Sequence, residues 1–241
     1  MANMVDPSLI AFSLPKETTL EQYVRYRDYI NTEFPTRCDA INRMTDHYED
    51  RILTAPASST DHYHNTFPGG YLDHVLRVVE YTELTYKMWK HVGMDLSNFS
   101  LEEMRFSALF HDLGKLGLPG DNGEVYQPNT SEWHVKNMGK IYNVNPDVPF
   151  ALAQDNSLYI LQHFGIQMTQ VEFYAIRVHD GPYDDANKAY WINNGLPMKF
   201  RNNLPFILHQ ADSMAARWEF ERWAKASGKF KYYQATDLRG Q

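Results

Sequence analysis

The sequence predicts an all-α protein, a compact multi-helix fold with long functional loops. Three observations predict it: apolar residues recur at helical spacing, Ser/Thr-x-x-Glu/Gln signatures open several segments, and strand-like alternation is scarce. At 241 residues the chain is long enough for one substantial core, so one domain with appended segments is expected.

Taken in order, helices are expected over 19–33, 36–53, 70–91, 100–114, 131–142, 149–163, 169–179 and 203–227. Capping boxes are read at Thr19-Leu-Glu-Gln22, Ser100-Leu-Glu-Glu103 and Thr169-Gln-Val-Glu172, where hydroxyl and N3 side chain satisfy orphan donors. Residues 54–69 read as a loop from their Pro, Ser, Thr and Gly content, as do 115–129, with a short strand at Glu124 to Tyr126. Residues 180–202 form a long irregular segment, and loops of that length inside a domain are often functional.

Composition narrows the function. Cys38 is the one cysteine, which excludes an internal disulfide and a thiolate zinc cluster. A net charge of −7 disfavours an extended grip on nucleic acid, while leaving room for a small phosphorylated substrate whose charge is met by bound cations. No apolar run reaches the ~20 residues a membrane span needs, and Met1 to Ser13 lacks the basic-then-apolar pattern of a signal peptide. A cytoplasmic protein with no membrane partner is expected; an oligomer is compatible with the sequence.

Four polar residues sit where apolar ones belong. In the helix from Gly70, Leu72, Val75, Leu76 and Val79 form one apolar face, and Tyr71, His74, Val78 and Tyr81 a second, so His74 points inward. Alone, such a residue is usually a hydrogen-bonded core histidine. Leu101, Met104 and Ala108 lead along a stripe to Asp112, flanked by His111, and a carboxylate there costs several kcal/mol unless paired or coordinated. Gly114 is expected to break this helix, with Lys115 projecting from the break toward phosphate oxygens. In the last helix Leu204, Ile207, Leu208, Ala211, Ala215 and Trp218 form the buried stripe, with Asp212 at its edge, where Arg217 or His209 could pair with it. A shared divalent cation accounts for all four.

These residues resemble the HD superfamily of metal-dependent phosphohydrolases. Tyr63-His64 with Pro68-Gly-Gly-Tyr-Leu-Asp-His74 is similar to its Gly-Gly-x-Leu-x-His opening, Ala108-Leu-Phe-His-Asp-Leu-Gly-Lys115 to its His-Asp segment, and Ala211-Asp-Ser-Met-Ala-Ala-Arg217 to its closing helix. The resemblance spans 62–220 and looks nearest to small HD proteins of tailed bacteriophages, for which the compartment would be the host cytoplasm. It implies an HD domain over 56–228, with an N-terminal helical segment (1–55) packed on it and a tail (229–241). It implies hydrolysis of a phosphate ester or anhydride, with His74, His111, Asp112 and Asp212 as ligands of one divalent ion.

Some members hold a second ion with two further histidines. His134, in Ser131-Glu-Trp-His-Val-Lys-Asn-Met-Gly139, and His179, in Ala175-Ile-Arg-Val-His-Asp-Gly181, resemble those positions, with Asp180 where the family carries a histidine and His163 as a rival. A nitrogen and oxygen ligand set suits Mn, Fe, Co, Ni, Zn or, more weakly, Mg. Asp112, Lys115 and His64 are the candidate catalytic residues: Asp112 through the ion, Lys115 as countercharge, His64 as acid for the leaving group. Lys115, Arg77, His62 and Tyr183 are candidate substrate contacts, although Arg77 could equally be a solvated surface residue. Tyr126, Trp133, Tyr183, Tyr190 and Trp191 could stack a base, so a (deoxy)nucleotide mono- or triphosphate is the first expectation. A phosphodiesterase or 3′–5′ exonuclease, a di-iron oxygenase on the same ligands and a non-enzymatic relic are the alternatives.

Overall fold

Ten α-helices and one two-stranded antiparallel ribbon make up the regular structure of residues 17–192 and 200–228, which the computed structural model describes. The N-terminal layer is α1 (Thr19–Glu33), α2 (Cys38–His47) and α3 (Glu49–Thr54). The central helix α4 (Gly70–His91) follows, then α5 (Leu101–Phe110) and a 3-10 turn, Leu113–Leu116. Strands β1 (Tyr126–Pro128) and β2 (Tyr142–Val144) flank α6 (Glu132–Met138). Helices α7 (Ala153–His163), α8 (Gln170–Arg177), α9 (Lys188–Trp191) and α10 (Leu204–Ser227) complete the fold. The all-α expectation holds, and the tail 229–241 lies outside the described residues.

Local chemistry explains where the elements begin and end. Boxes at Ser100/Glu103 and Thr169/Glu172 cap α5 and α8 as the sequence predicts. The first box falls one residue earlier than expected, on Thr18 and Glu21, because the Glu21 carboxylate accepts from the Thr18 amide at 2.7 Å. Gln22 instead turns inward and donates to Asp73 at 3.0 Å. The helix expected over 36–53 is broken at Tyr48, whose buried hydroxyl reaches the Gly117 carbonyl at 2.9 Å. The strand near Glu124 lies slightly later, where Tyr126, Gln127 and Pro128 oppose Val144, Asn143 and Tyr142.

The N-terminal helices share the core of the rest. Tyr26, Ile30, Phe34, Ile41, Met44 and Ile52 are fully buried in one cluster with Tyr71, Leu72, Val75 and Phe106. Each such side chain stabilises the fold by ~1.5–3 kcal/mol relative to exposure. Arg37 fastens this layer to two others, reaching the buried Glu172 at 2.9 Å and Glu102 at 2.7 Å while stacking over Phe106. Helix α4 is buried along its whole first half, from Gly70 to Val79, and α10 packs along it. Gly70 permits this burial: a Cβ there would lie 2.0 Å from the Asn65 carbonyl oxygen.

Candidate metal centre

Four segments deliver the polar residues. His74 lies in the buried half of α4, His111 and Asp112 follow the end of α5, His179 follows α8, and Asp212 is in the third turn of α10. His74, His111, Asp112 and His179 are all at least 97 % buried, a cost that only pairing or coordination offsets.

The imidazoles are fixed from behind. His111 donates Nδ1–H to the Ala108 carbonyl and His179 to the Ile176 carbonyl, each at 2.8 Å. Both rings are thus tied to a carbonyl in a helix's last turn, three residues back. His74 Nδ1 lies 3.1 Å from both oxygens of Glu219. A carbonyl or carboxylate only accepts, so all three rings carry the proton on Nδ1 and turn Nε2 forward.

Forward lie three carboxylates, those of Asp112, Asp212 and Asp180. His74 Nε2 is 3.4 Å from Asp112 and 3.2 Å from Asp212, and His111 Nε2 is 3.5 and 3.8 Å from the same pair. His179 Nε2 is 3.6 Å from Asp112 and 3.5 Å from Asp180. The Nε2 atoms of His74 and His111 are buried without a hydrogen-bond partner among the described residues. With Nε2 deprotonated, lone pairs converging on carboxylate oxygens need a positive centre between them. The donor set fits a divalent cation: His74, His111 and Asp212 bring ligand atoms within 4.8 Å of one another, as do His111, Asp112 and His179, and also His179, Asp180 and Asp212.

Ionisation follows the same layout. Burial opposes the charge on Asp112, but Lys115, at 2.6 Å, and His111 outweigh it and hold the carboxyl well below the usual range. Asp212 is lowered in the same way, burial being overcome by His74 and His111. For His179 burial favours the neutral ring, yet Asp112 and Asp180 prevail and raise it to about 9. His74 is raised well above its ordinary value against its burial, by Glu219, Asp112 and Asp212.

The centre opens into a cavity of about 1050 Å³. Lys115, His62, His64 and Tyr183, the candidate catalytic and substrate-contact residues, line it. His64 is mostly buried, with Nδ1 3.1 Å from Glu219, and Ser58 donates to its backbone carbonyl at 2.7 Å. Tyr183 stands at the mouth, 86 % exposed.

Two expected site residues lie elsewhere. His134 is exposed on α6, a helix with no buried residue, and it shares in none of the ligand groupings; Asp180 occupies the place expected of a second histidine. His163, its rival, is also exposed and outside the groupings. Arg77 neither faces the cavity nor is solvated. It is fully buried, paired with Asp73 at 2.8 Å and with Glu219, its guanidinium over the Trp218 ring.

Sequence reasoning missed Glu219, which is 1 % exposed. Helical spacing could have found it, since Leu208, Ala211 and Ala215 lead to residue 219 as naturally as to Trp218, which is 40 % exposed. His209 was weighed only as an ion-pair partner of Asp212; it lines the cavity and its Nδ1 donates to the His179 carbonyl at 2.7 Å. No family model matches the chain, and no curated protein or solved structure matches it either.

Proposed function

We propose that this chain is a metal-dependent phosphohydrolase that cleaves a phosphate ester or anhydride of a nucleotide. The observation that carries the reading is the set of three imidazoles with Nδ1 committed behind and Nε2 turned on the carboxylates of Asp112, Asp212 and Asp180. His74, His111, Asp112 and Asp212 would hold one cation, and His179 with Asp180 would complete a second position by sharing Asp112 or Asp212. The ion when bound supplies an activated water and polarises the phosphoryl group.

The chain's own groups do the rest. Lys115 places a permanent positive charge beside Asp112 at the cavity wall, where it can neutralise phosphate oxygens as negative charge builds. His64 offers an imidazole in the same cavity for taking up a proton at Nε2 and passing it to the departing oxygen. The cavity, at about 1050 Å³, lies just above the ~300–1,000 Å³ usual for small-molecule sites, and Tyr63, Tyr126 and Tyr183 supply flat apolar surface for a base.

The test joins metal analysis of purified protein to a screen of nucleoside mono-, di- and triphosphates and a single-stranded oligonucleotide, with Mn, Fe, Co, Ni, Zn and Mg in turn. Phosphate or pyrophosphate release from nucleotides is expected. Mononucleotide release from the oligonucleotide alone would move the reading to a nuclease. Cation-replete protein that hydrolyses nothing would overturn it.

A further inference from the structure

One carboxylate serves two histidines with different tasks. Glu219 Oε2 lies 3.1 Å from Nδ1 of His64 and 3.1 Å from Nδ1 of His74, while Oε1 accepts from Arg77 and lies 3.1 Å from His74 as well. The His64 and His74 rings are neighbours, with centroids 4.7 Å apart. His74 belongs to the proposed cation site; His64 lines the cavity. A His–His–Glu grouping of this kind could itself be taken for a cation site. Arg77 argues against that: its guanidinium already occupies Oε1 and supplies the positive charge that Glu219 needs in the core.

We propose that Glu219 is a positioning residue shared by the cation site and the substrate cavity: by accepting Nδ1–H from both His74 and His64, it commits both rings to the tautomer whose free Nε2 faces its task. For His74 that task is ligation. For His64 it is exchange of a proton with bound substrate, and this half rests on the phosphohydrolase reading. A carboxylate can do this because it only accepts, whereas an amide accepts at one end and donates at the other.

The difference makes Glu219→Gln a selective probe. Arg77 only donates, so the amide oxygen must stay at the Oε1 position and the NH₂ must replace Oε2. His74 keeps an acceptor in Oε1. His64 loses its only one, faces a donor, and must move its proton to Nε2.

The experiment uses the full-length, zinc-loaded protein labelled with ¹⁵N-histidine, with ring tautomers read from long-range ¹H–¹⁵N correlations. Wild type is expected to show His64 and His74 both protonated at Nδ1. In E219Q His64 should switch to the Nε2–H form while His74 does not. Zinc affinity in E219Q should fall by no more than the ~10-fold lower end of losses seen on removing a ligand's hydrogen-bond partner. With an active substrate in hand, E219Q and His64→Gln should each lower kcat to a similar level, and the double variant should fall no further.

His64 protonated at Nε2 in wild type would overturn the proposal without any variant, so a misfolded E219Q leaves it testable. His64 unchanged in E219Q would also overturn it, as would multiplicative kcat losses in the double variant. Correct tautomers in a protein that hydrolyses no phosphate would sustain the positioning role and sink the phosphohydrolase reading alone.

Discussion

Asp112 is where the opposing costs of the site are most concentrated. It is buried, yet three imidazoles and one ammonium bear on it: His74, His111 and Lys115 at one oxygen and His179 at the other. Removing either member of the His111–Asp112 pair therefore takes away a candidate ligand and local charge balance together. We expect His111→Ala and Asp112→Ala to lose cation binding by more than the ~100-fold upper end for removing a ligand's supporting partner, with turnover lost in parallel. His134→Ala should leave the number of ions per chain unchanged, as counted by elemental analysis; a drop of one would restore His134 to the site. The polar cluster was legible in sequence because a polar or charged group on an apolar stripe is anomalous whatever surrounds it. Glu219 was not, because in Arg217-Trp-Glu-Phe-Glu221 it sits among exposed charges, and its burial depends on Arg77, remote in sequence. His134 illustrates the converse: a matching pattern of letters carries no information about which way a short helix with no buried residue faces.

At the scale of elements, the turn after α5 is held by a helix distant in sequence. Ser157 of α7 accepts from the Gly114 amide at 2.8 Å and donates to the His111 carbonyl at 2.9 Å, so one hydroxyl satisfies both sides of the break. Gly114 is needed for closeness rather than for an unusual backbone angle: a Cβ would stand 2.0 Å from the Ala153 carbonyl oxygen. Gly114→Ala should push α7 off the turn, cost ~1–3 kcal/mol as overpacking does, and weaken cation affinity through His111 and Asp112. Chemical denaturation and zinc competition on the same variant check this, and unchanged affinity would show that the turn does not set the ligands. Helix cores were readable from period and caps, since both are local. The break at Tyr48 and the early end of α5, at Phe110, were not, because each is set by a hydrogen bond from another part of the fold.

Across the whole molecule the centre acts as a keystone, whose sign depends on pH. In chelated protein, His179 titrates at about 9 against an ordinary 6.5, so the stability it contributes is complete below 6.5 and lost as pH rises through about 9. His74 acts in the same direction. The melting temperature of chelated protein is therefore expected to fall between pH 6.5 and 9. Cation binding requires those same nitrogens deprotonated, so it tightens over this interval and the loaded protein should hold its melting temperature. Equal stability of the chelated protein at both ends of the range would contradict the assignment. Beneath the centre, Glu219, Arg77, Asp73 and Gln22 join α10, α4 and α1 through buried polar contacts. Removing one partner of a buried ion pair costs ~3–5 kcal/mol, whereas replacing the pair together by apolar residues can be neutral. Variation by single steps is thus nearly closed to the Glu219–Arg77 pair, and strongly non-additive effects are expected within it. Any route away from this pairing has to change both residues at once, so the core beneath the cluster resists gradual change.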